Sequence, residues 1–168
     1  MHEFDGLLVH AAAQVAPEYF LLPIHNAGAR YRERVYCYEL YHQLRSQWPP
    51  GCPFFLNGEL DKNAHPYFPP EDGAPKPDFL VHVPGTGNNY AVIEVKSALV
   101  DSKGIRTDVE KLVQFRGFGY QRALYLFYGM EANQAVNRVQ AAGATIKQMA
   151  AIEIWVHPHP GAAATRVH

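Results

Sequence analysis

Residues 77–96 decide the fold, and they read Pro-Asp-Phe-Leu-Val-His-Val-Pro-Gly-Thr-Gly-Asn-Asn-Tyr-Ala-Val-Ile-Glu-Val-Lys. Two runs rich in β-branched and aromatic residues, 78–83 and 90–96, flank a segment made almost wholly of turn formers. This arrangement predicts a β-hairpin. Because side chains alternate along a strand, Glu94 and Lys96 are expected on the same face of the second strand.

The position of Asp78 depends on the register of this hairpin. A turn centred near residues 86 and 87 pairs Asp78 with Val95. A shift of one residue pairs Asp78 with Glu94 or Lys96 instead. In the right register, two carboxylates and an amine meet at one edge of the sheet.

Two adjacent carboxylates repel each other unless a cation lies between them. Their hard oxygen atoms suit magnesium or manganese, which commonly share a site with a substrate phosphate. Lys96 could orient a water or deprotonate it, and as a base its pKa would have to fall from about 10.4. The alternative is that Asp78 opens a strand while Glu94 and Lys96 form an exposed ion pair, which would contribute little stability.

The residues around Glu94 favour the first interpretation. Ala91, Val92, Ile93 and Val95 leave no polar face on this strand, so both sides of the sheet are expected to be covered. Charged side chains inside a covered strand are costly unless they have a partner or a purpose.

Composition limits the classes of protein to which the chain can belong. It has 168 residues, of which 48% are hydrophobic and 18% charged, and its net charge is -1. This is enough chain for one globular domain with a core. The near-zero charge excludes a broadly basic coat for nucleic acid, so any contact with a polyanion must be local.

Cysteine and histidine patterns indicate no structural metal or disulfide framework. Cys37 and Cys52 form no paired motif, which favours a reducing, cytoplasmic location. Residues 157–159, which read His-Pro-His, match no zinc template and are expected in a solvated tail. The start of the chain lacks the basic region of a signal peptide, and no stretch is long enough to span a membrane.

Periodicity outside the hairpin predicts the other elements. Helical spacing predicts helices over residues 3–15, 30–48, 106–118 and 131–142. Strands are predicted over residues 54–60, 122–128 and 151–156, the second central and the third possible as an edge. Residues 23–28 and 61–76 are predicted to be loops, and the tail 158–168 to be flexible. The order of core elements predicts a mixed α/β sandwich with a single sheet.

Glu33 is a further candidate for the site. The helical period puts it on the same side of the helix as Cys37, Leu40 and Leu44. One interpretation is that Glu33 lies near the helix end with its carboxylate in solvent. The other is that it points at the same cation as Asp78.

These residues and elements resemble the PD-(D/E)xK, or restriction-endonuclease-like, nuclease superfamily. The likeness consists of Pro77-Asp78, fifteen intervening residues, then Glu94-Val95-Lys96, all within an αβββαβ succession. It covers roughly residues 30–157 of a single domain that takes up residues 1–168. The fold it implies is α/β, with one mixed β-sheet flanked by helices and a restriction-endonuclease-like core.

The resemblance implies a metal-dependent nuclease that hydrolyses DNA phosphodiester bonds and leaves a 5′-phosphate. Asp78 and Glu94 would bind Mg²⁺ or Mn²⁺, and Val95 is counted with the metal ligands. Lys96 would position or activate the attacking water. A homodimer would supply two active sites for cutting both strands.

The resemblance also implies supporting residues. Glu33 would complete the metal site, with Glu39 as the fallback. Residues of the helix that follows the third strand are expected to contact nucleic acid, and the candidates are Lys111, Gln114 and Arg116.

Two other classes stay open on the sequence. One is a catalytically inactive domain of the same fold that binds nucleic acid or a partner protein. The other is a small-molecule or partner-binding α/β domain in which Asp78, Glu94 and Lys96 form a structural salt bridge.

Overall fold

The computed structural model describes residues 3–60 and 76–168, and its central feature is a six-stranded mixed β-sheet with helices on both faces. The helices are α1 (Phe4–Ala13), α2 (Pro17–Phe20), α3 (Glu33–Ser46), α4 (Ser102–Gly117), α5 (Ala132–Ala141) and α6 (Ile146–Ala151). The strands are β1 (Leu22–Ile24), β2 (Ala27–Arg30), β3 (Phe55–Gly58), β4 (Phe79–His82), β5 (Asn89–Ser97), β6 (Arg122–Tyr128), β7 (Glu153–His157) and β8 (Thr165–Arg166). The predicted mixed α/β class with a single main sheet is confirmed.

The main sheet has the order β3-β4-β5-β6-β7-β8. The first three strands are antiparallel neighbours, whereas β5, β6 and β7 run parallel. Parallel neighbours need a crossover, which α4 provides between β5 and β6, and α5 with α6 between β6 and β7. Strand β6 therefore lies inside the sheet with both faces covered, which explains its apolar sequence.

Two apolar cores lie on the two faces of the sheet. One core joins α1 and α3 to Phe79, Ile93 and Val95. The other joins α4, α5 and α6 to Leu80 and Val92. Because successive residues of β5 alternate between these cores, the strand that carries Glu94 is covered on both sides, as predicted.

The register of the hairpin of β4 and β5 decides which residue of β5 lies opposite Asp78. Phe79 pairs with Ile93, and Val81 pairs with Ala91. Continuing this register by one residue puts Asp78 opposite Glu94. The pairing with Val95 that a turn near residues 86 and 87 predicted is therefore wrong.

The prediction of a loop over residues 23–28 is wrong, because β1 and β2 form a hairpin there. Leu22 pairs with Arg30, and Ile24 pairs with Ala27. Asn26 has a positive φ of 57°, a backbone conformation that asparagine tolerates in tight turns.

Helix α4 begins four residues before its predicted start at residue 106. Asp101 caps it, because its Oδ1 accepts a hydrogen bond of 2.7 Å from the backbone N–H of Gly104. Helix α6 was not predicted. Its capping box joins Thr145 and Gln148, whose side chains and backbone N–H groups bond reciprocally.

The C-terminal segment was predicted to be a flexible tail, but it forms the last strand of the sheet. Strand β8 pairs with β7, so β7 is not an edge strand. Ala164 is fully buried, and the N–H of Val167 donates to the carbonyl of Ile154 at 2.8 Å. His157 likewise lies in the core, where its Nδ1 is 2.8 Å from the hydroxyl of Tyr36.

The predicted loop at residues 61–76 lies almost wholly outside the described residues. Within the described ranges, 3–60 and 76–168, every helix is too short or too polar to cross a membrane.

Candidate functional site

Charged side chains from four parts of the fold converge at one end of the sheet. They are Glu33 at the start of α3, Asp78 just before β4, Glu94 and Lys96 in β5, and Asp108 and Lys111 in α4. Strand β5 supplies the centre of this cluster because its last residues extend between α3 on one face and α4 on the other.

Asp78 is fixed across the hairpin from Glu94. Its Oδ2 accepts a hydrogen bond of 2.7 Å from the backbone N–H of Val95. Burial raises the pKa of Asp78 above its ordinary value, although the bond from Val95 works in the opposite direction. The hydrogen bond from Val95 therefore fixes the position of the carboxyl group, but it does not offset the cost of burying the charge.

Glu94 is the most deeply buried acid of the cluster, with 1% of its surface exposed. Its Oε2 lies 3.0 Å from Nζ of Lys111. Its Oε1 is buried and has no hydrogen-bond partner among the described residues. Burial, followed by repulsion from Asp78, raises the pKa of Glu94 to about 8.

Lys96 is held as a cation. Its Nζ lies 3.0 Å from Oε2 of Glu33 and 3.8 Å from Oδ2 of Asp108. Burial alone would lower the pKa of Lys96, but the carboxylates of Asp108 and Glu33 outweigh burial and raise it. An amine with a raised pKa is a poor base, so the geometry favours positioning of a water over its deprotonation.

Asp108 was missed by the sequence analysis as a site residue. Its Oδ1 lies 3.5 Å from Nζ of Lys111, and its Oδ2 accepts a hydrogen bond of 3.0 Å from the hydroxyl of Tyr125. The signal was its spacing of three residues from Lys111 on a predicted helix, which puts both on the same side. The carboxylate of Asp108 thus joins the two lysines of the site.

Glu33 and Glu39, the two residues of α3 predicted as candidates to complete the metal site, have different contacts in the structure. Glu33, the first helical residue, bonds Lys96 through Oε2, and its Oε1 accepts a bond of 3.4 Å from the N–H of Ser97. Glu39 instead accepts a hydrogen bond from Gln43 along the helix. Glu33 therefore belongs to the charged cluster, and the contacts of Glu39 lie within its own helix.

The three predicted nucleic-acid contacts of α4 occupy different surroundings. Lys111 belongs to the cluster itself. Gln114 is exposed on the helix surface. The guanidinium of Arg116 donates to the carbonyls of Tyr120 and Gln121, in the turn that follows the helix. Arg116 therefore stabilises that turn and is not brought to the site.

The donor set fits a divalent cation, although the described residues hold no ready-made cluster of three ligands. Within residues 3–60 and 76–168, no three Asp, Glu, His or Cys side chains are arranged as a metal site. Asp78 and Glu94 nevertheless offer hard oxygen atoms, and the unpartnered Oε1 of Glu94 is the kind of atom that a cation would satisfy. Val95 could contribute only its carbonyl oxygen, because its side chain is in the core.

The lysines supply the positive charge that the carboxylates need when no other cation is bound. Lys111 contacts Glu94, so binding of a metal ion between Asp78 and Glu94 would weaken that ion pair. The contact of Lys111 with Glu94 and a metal ion at Glu94 would therefore compete with each other.

Comparison with known proteins gives no assignment. No protein-family model matches the chain, and no curated protein matches it.

Proposed function

We propose that the protein is a divalent-cation-dependent nuclease of the PD-(D/E)xK type that hydrolyses phosphodiester bonds of DNA. One observation carries the proposal. Asp78 directly precedes the paired residue Phe79, whose partner Ile93 directly precedes Glu94, so the same register continued by one residue puts the two acids opposite each other. The buried Oε1 of Glu94 has no partner among the described residues, and Lys96 follows two residues later.

The order of elements supports the same proposal. Helix α3 is followed by β3, β4 and β5, and then by α4 and β6. This αβββαβ succession is the one expected of a restriction-endonuclease-like core, and it supports the proposal. The charged cluster lies where that succession brings the second and third strands of the core together.

The chemistry divides among the residues of the cluster. A bound Mg²⁺ or Mn²⁺ supplies positive charge that stabilises the transition state of phosphodiester hydrolysis and acidifies water. Asp78 and Glu94 would hold that ion through their carboxylate oxygens. The hydrogen bond from Val95 fixes Asp78 for this purpose before the ion arrives.

Lys96 would orient the attacking water by donating a hydrogen bond from its ammonium group. Glu33 and Asp108 hold that group in place from two sides. Lys111, once released from Glu94, would donate to a non-bridging oxygen of the scissile phosphate. The ammonium groups of both lysines would then lie beside the negative charge that develops in the transition state.

The test is cleavage of plasmid and single-stranded DNA with magnesium or manganese. We expect the wild type to cut at least one of these substrates, and Lys96→Ala to lose at least about 100-fold in rate. Glu39→Gln is the matched control, because Glu39 bonds only within its helix in the described contacts. Equal, undigested DNA from the wild type and Lys96→Ala on every substrate form, including modified DNA, contradicts the proposal.

The ion pair of Lys111 with Glu94 favours a second candidate, a catalytically inactive domain of the same fold that binds nucleic acid or a partner. Calorimetry with manganese separates the two. A nuclease is expected to bind manganese, and Asp78→Asn and Glu94→Gln are expected to abolish binding. No binding at millimolar metal supports the inactive domain.

A further inference from the structure

An Arg-Tyr-Arg triplet joins β2 to α3. Arg30 and Arg32 are exposed, whereas the ring of Tyr31 between them is partly buried. The backbone of Arg32 is extended, with φ of -133° and ψ of 98°. Because side chains alternate along extended chain, the two guanidinium groups leave the backbone on the side opposite Tyr31.

Tyr31 anchors this triplet in the body of the protein. Its ring packs edge-on against Tyr128 at the end of β6, with ring centroids 5.4 Å apart. A second edge-on contact joins it to Phe20 of α2 at 6.2 Å. These ring contacts therefore fix the backbone segment to which Arg30 and Arg32 belong.

The arginines line a groove whose other walls are apolar. The groove has a volume of about 580 Å³, and its lining includes Leu21, Arg30, Arg32 and Leu99. Leu99 is 74% exposed, an unusual state for leucine. Neither guanidinium group has a hydrogen-bond or ion-pair partner in the part of the chain that the structure describes, so both are available to an anion.

The groove adjoins the charged cluster. Arg32 directly precedes Glu33, whose carboxylate bonds Lys96. Leu99 lies on the other wall, and its N–H donates to the hydroxyl of Ser97 at the end of β5. A strand of nucleic acid that lies with one phosphate beside Lys96 would continue directly into this groove.

We propose that the groove binds the substrate strand next to the scissile phosphate. Arg30 and Arg32 each take one of two successive phosphates, since two residues of extended chain advance about 6.6 Å, comparable to the separation of neighbouring phosphates on an extended strand. Leu99 packs against an unstacked base or sugar. The favoured substrate is therefore unpaired DNA. This inference rests on the proposed nuclease function.

The test measures binding of a short fluorescein-labelled oligothymidylate in EDTA, by fluorescence anisotropy over a range of salt concentrations. Arg30→Gln with Arg32→Gln is expected to weaken binding at least about tenfold and to reduce the slope of log K against log salt by about 1.4. The control removes the same charge elsewhere, with Arg45→Gln at the far end of α3 and Lys147→Gln on α6. It is expected to change affinity less than twofold.

Two further variants guard against misfolding. Arg30→Lys with Arg32→Lys keeps both charges and is expected to keep the wild-type salt slope. Leu99→Ser removes no charge and is expected to weaken binding several-fold without changing that slope. Equal losses in the groove variant and the control overturn the inference, and so does a wild type that binds no DNA.

Cleavage of the same oligonucleotide with manganese distinguishes the two proposals. Cleavage together with binding that does not depend on Arg30 and Arg32 keeps the nuclease and rejects the groove. Binding that depends on the groove keeps the groove, and the nuclease is rejected if the wild type also leaves this oligonucleotide, plasmid DNA and modified DNA uncut.

Discussion

The sheet carries a charged cluster at each end, and the two differ in how fully they neutralise themselves. At one end, Arg122 at the start of β6 bonds Glu153 at the start of β7 through two parallel hydrogen bonds of 2.7 and 2.6 Å. Asp5 lies 2.6 Å from the same guanidinium, and Trp155 donates to Glu153. At the other end lies the cluster around Glu94, whose Oε1 has no partner among the described residues. We call the cluster of Arg122 and Glu153 the closed cluster and the cluster around Glu94 the open cluster.

The same type of residue behaves oppositely in the two clusters. Burial opposes ionisation of Glu153, but the bonds from Arg122 and Trp155 outweigh it and lower the pKa of this carboxyl. Burial raises the pKa of Glu94 to about 8 despite the nearby Lys111. A cluster that satisfies its own charges serves stability, whereas one that leaves a buried carboxylate oxygen unpartnered is suited to binding something else.

The largest difference is expected in activity. Asp78→Asn removes a carboxylate from the open cluster and is expected to reduce DNA cleavage by about 1,000-fold or more. Glu153→Gln at the closed cluster is expected to leave cleavage within a few-fold of the wild type. Cleavage of labelled DNA with manganese measures both, at a temperature where circular dichroism shows both variants folded. Similar losses in the two variants would remove the functional distinction between the clusters.

The second-largest effect is expected on the free energy of unfolding when the closed cluster loses Arg122. Arg122→Met leaves Glu153 with only 12% of its side chain exposed and without its main partner. We expect the free energy of unfolding to fall by about 3–4 kcal/mol, measured by urea denaturation. Arg45→Met, at an exposed position, should change it by less than about 0.5 kcal/mol. A loss below 1 kcal/mol for Arg122→Met would show that the closed cluster contributes little.

Glu94→Gln is expected to stabilise the metal-free protein. The folded state raises the pKa of Glu94 from 4.5 to about 8, so folding at pH 7 carries the cost of taking up a proton or burying a charge. The amide avoids this cost, and we expect a gain of about 1–3 kcal/mol at pH 7 in EDTA.

The stabilisation expected from Glu94→Gln depends on pH. Between pH 4.5 and 8 the folded state binds more protons at Glu94 than the unfolded state does, so the wild type gains stability relative to Glu94→Gln as the pH falls. Urea denaturation across this range should show the advantage of the variant disappearing near pH 4.5. A constant advantage would mean that Glu94 does not titrate abnormally.

The smallest change in the free energy of unfolding is expected for Glu153→Gln, which should destabilise the protein, whereas Glu94→Gln should stabilise it. Because the folded pKa of Glu153 is lowered, its contribution is present above the unfolded value of 4.5 and is lost as the pH falls below it. We expect a loss of about 1 kcal/mol at pH 7 that shrinks in acid. Stabilisation by this change at pH 7 would contradict the contrast with Glu94.

Much of the sheet was predictable because its strands carry local signals. The apolar run 122–128 predicted a buried strand, and β6 takes up the same residues. The register of β4 with β5 was less accessible. The turn residues suggested a turn centred on residues 86 and 87, but His82 pairs with Asn89, which puts the turn nearer the start of the connection. An irregularity between Val81 and His82 then changes the alignment by one residue along the rest of the hairpin, and no local signal predicts either feature.

The segments predicted wrongly depend on distant partners. Strand β8 has two residues, Thr165 and Arg166, and follows three alanines, so nothing local predicts it. It forms because β7 offers unpaired backbone groups. Of the site residues, Asp108 was missed because its role depends on the packing of α4 against β5, and helical spacing alone does not determine that packing.

Gly129, which ends β6, has a consequence for tolerance to mutation. Its φ is +82°, and a Cβ at this position would lie 2.6 Å from the hydroxyl oxygen of Tyr31. Any larger residue must both strain the backbone and displace the ring of Tyr31, which lies between Arg30 and Arg32 in the chain. In a saturation mutagenesis screen, position 129 should therefore favour glycine strongly, and its variants should weaken the DNA binding that we propose for the groove although Gly129 is not among the groove's lining residues.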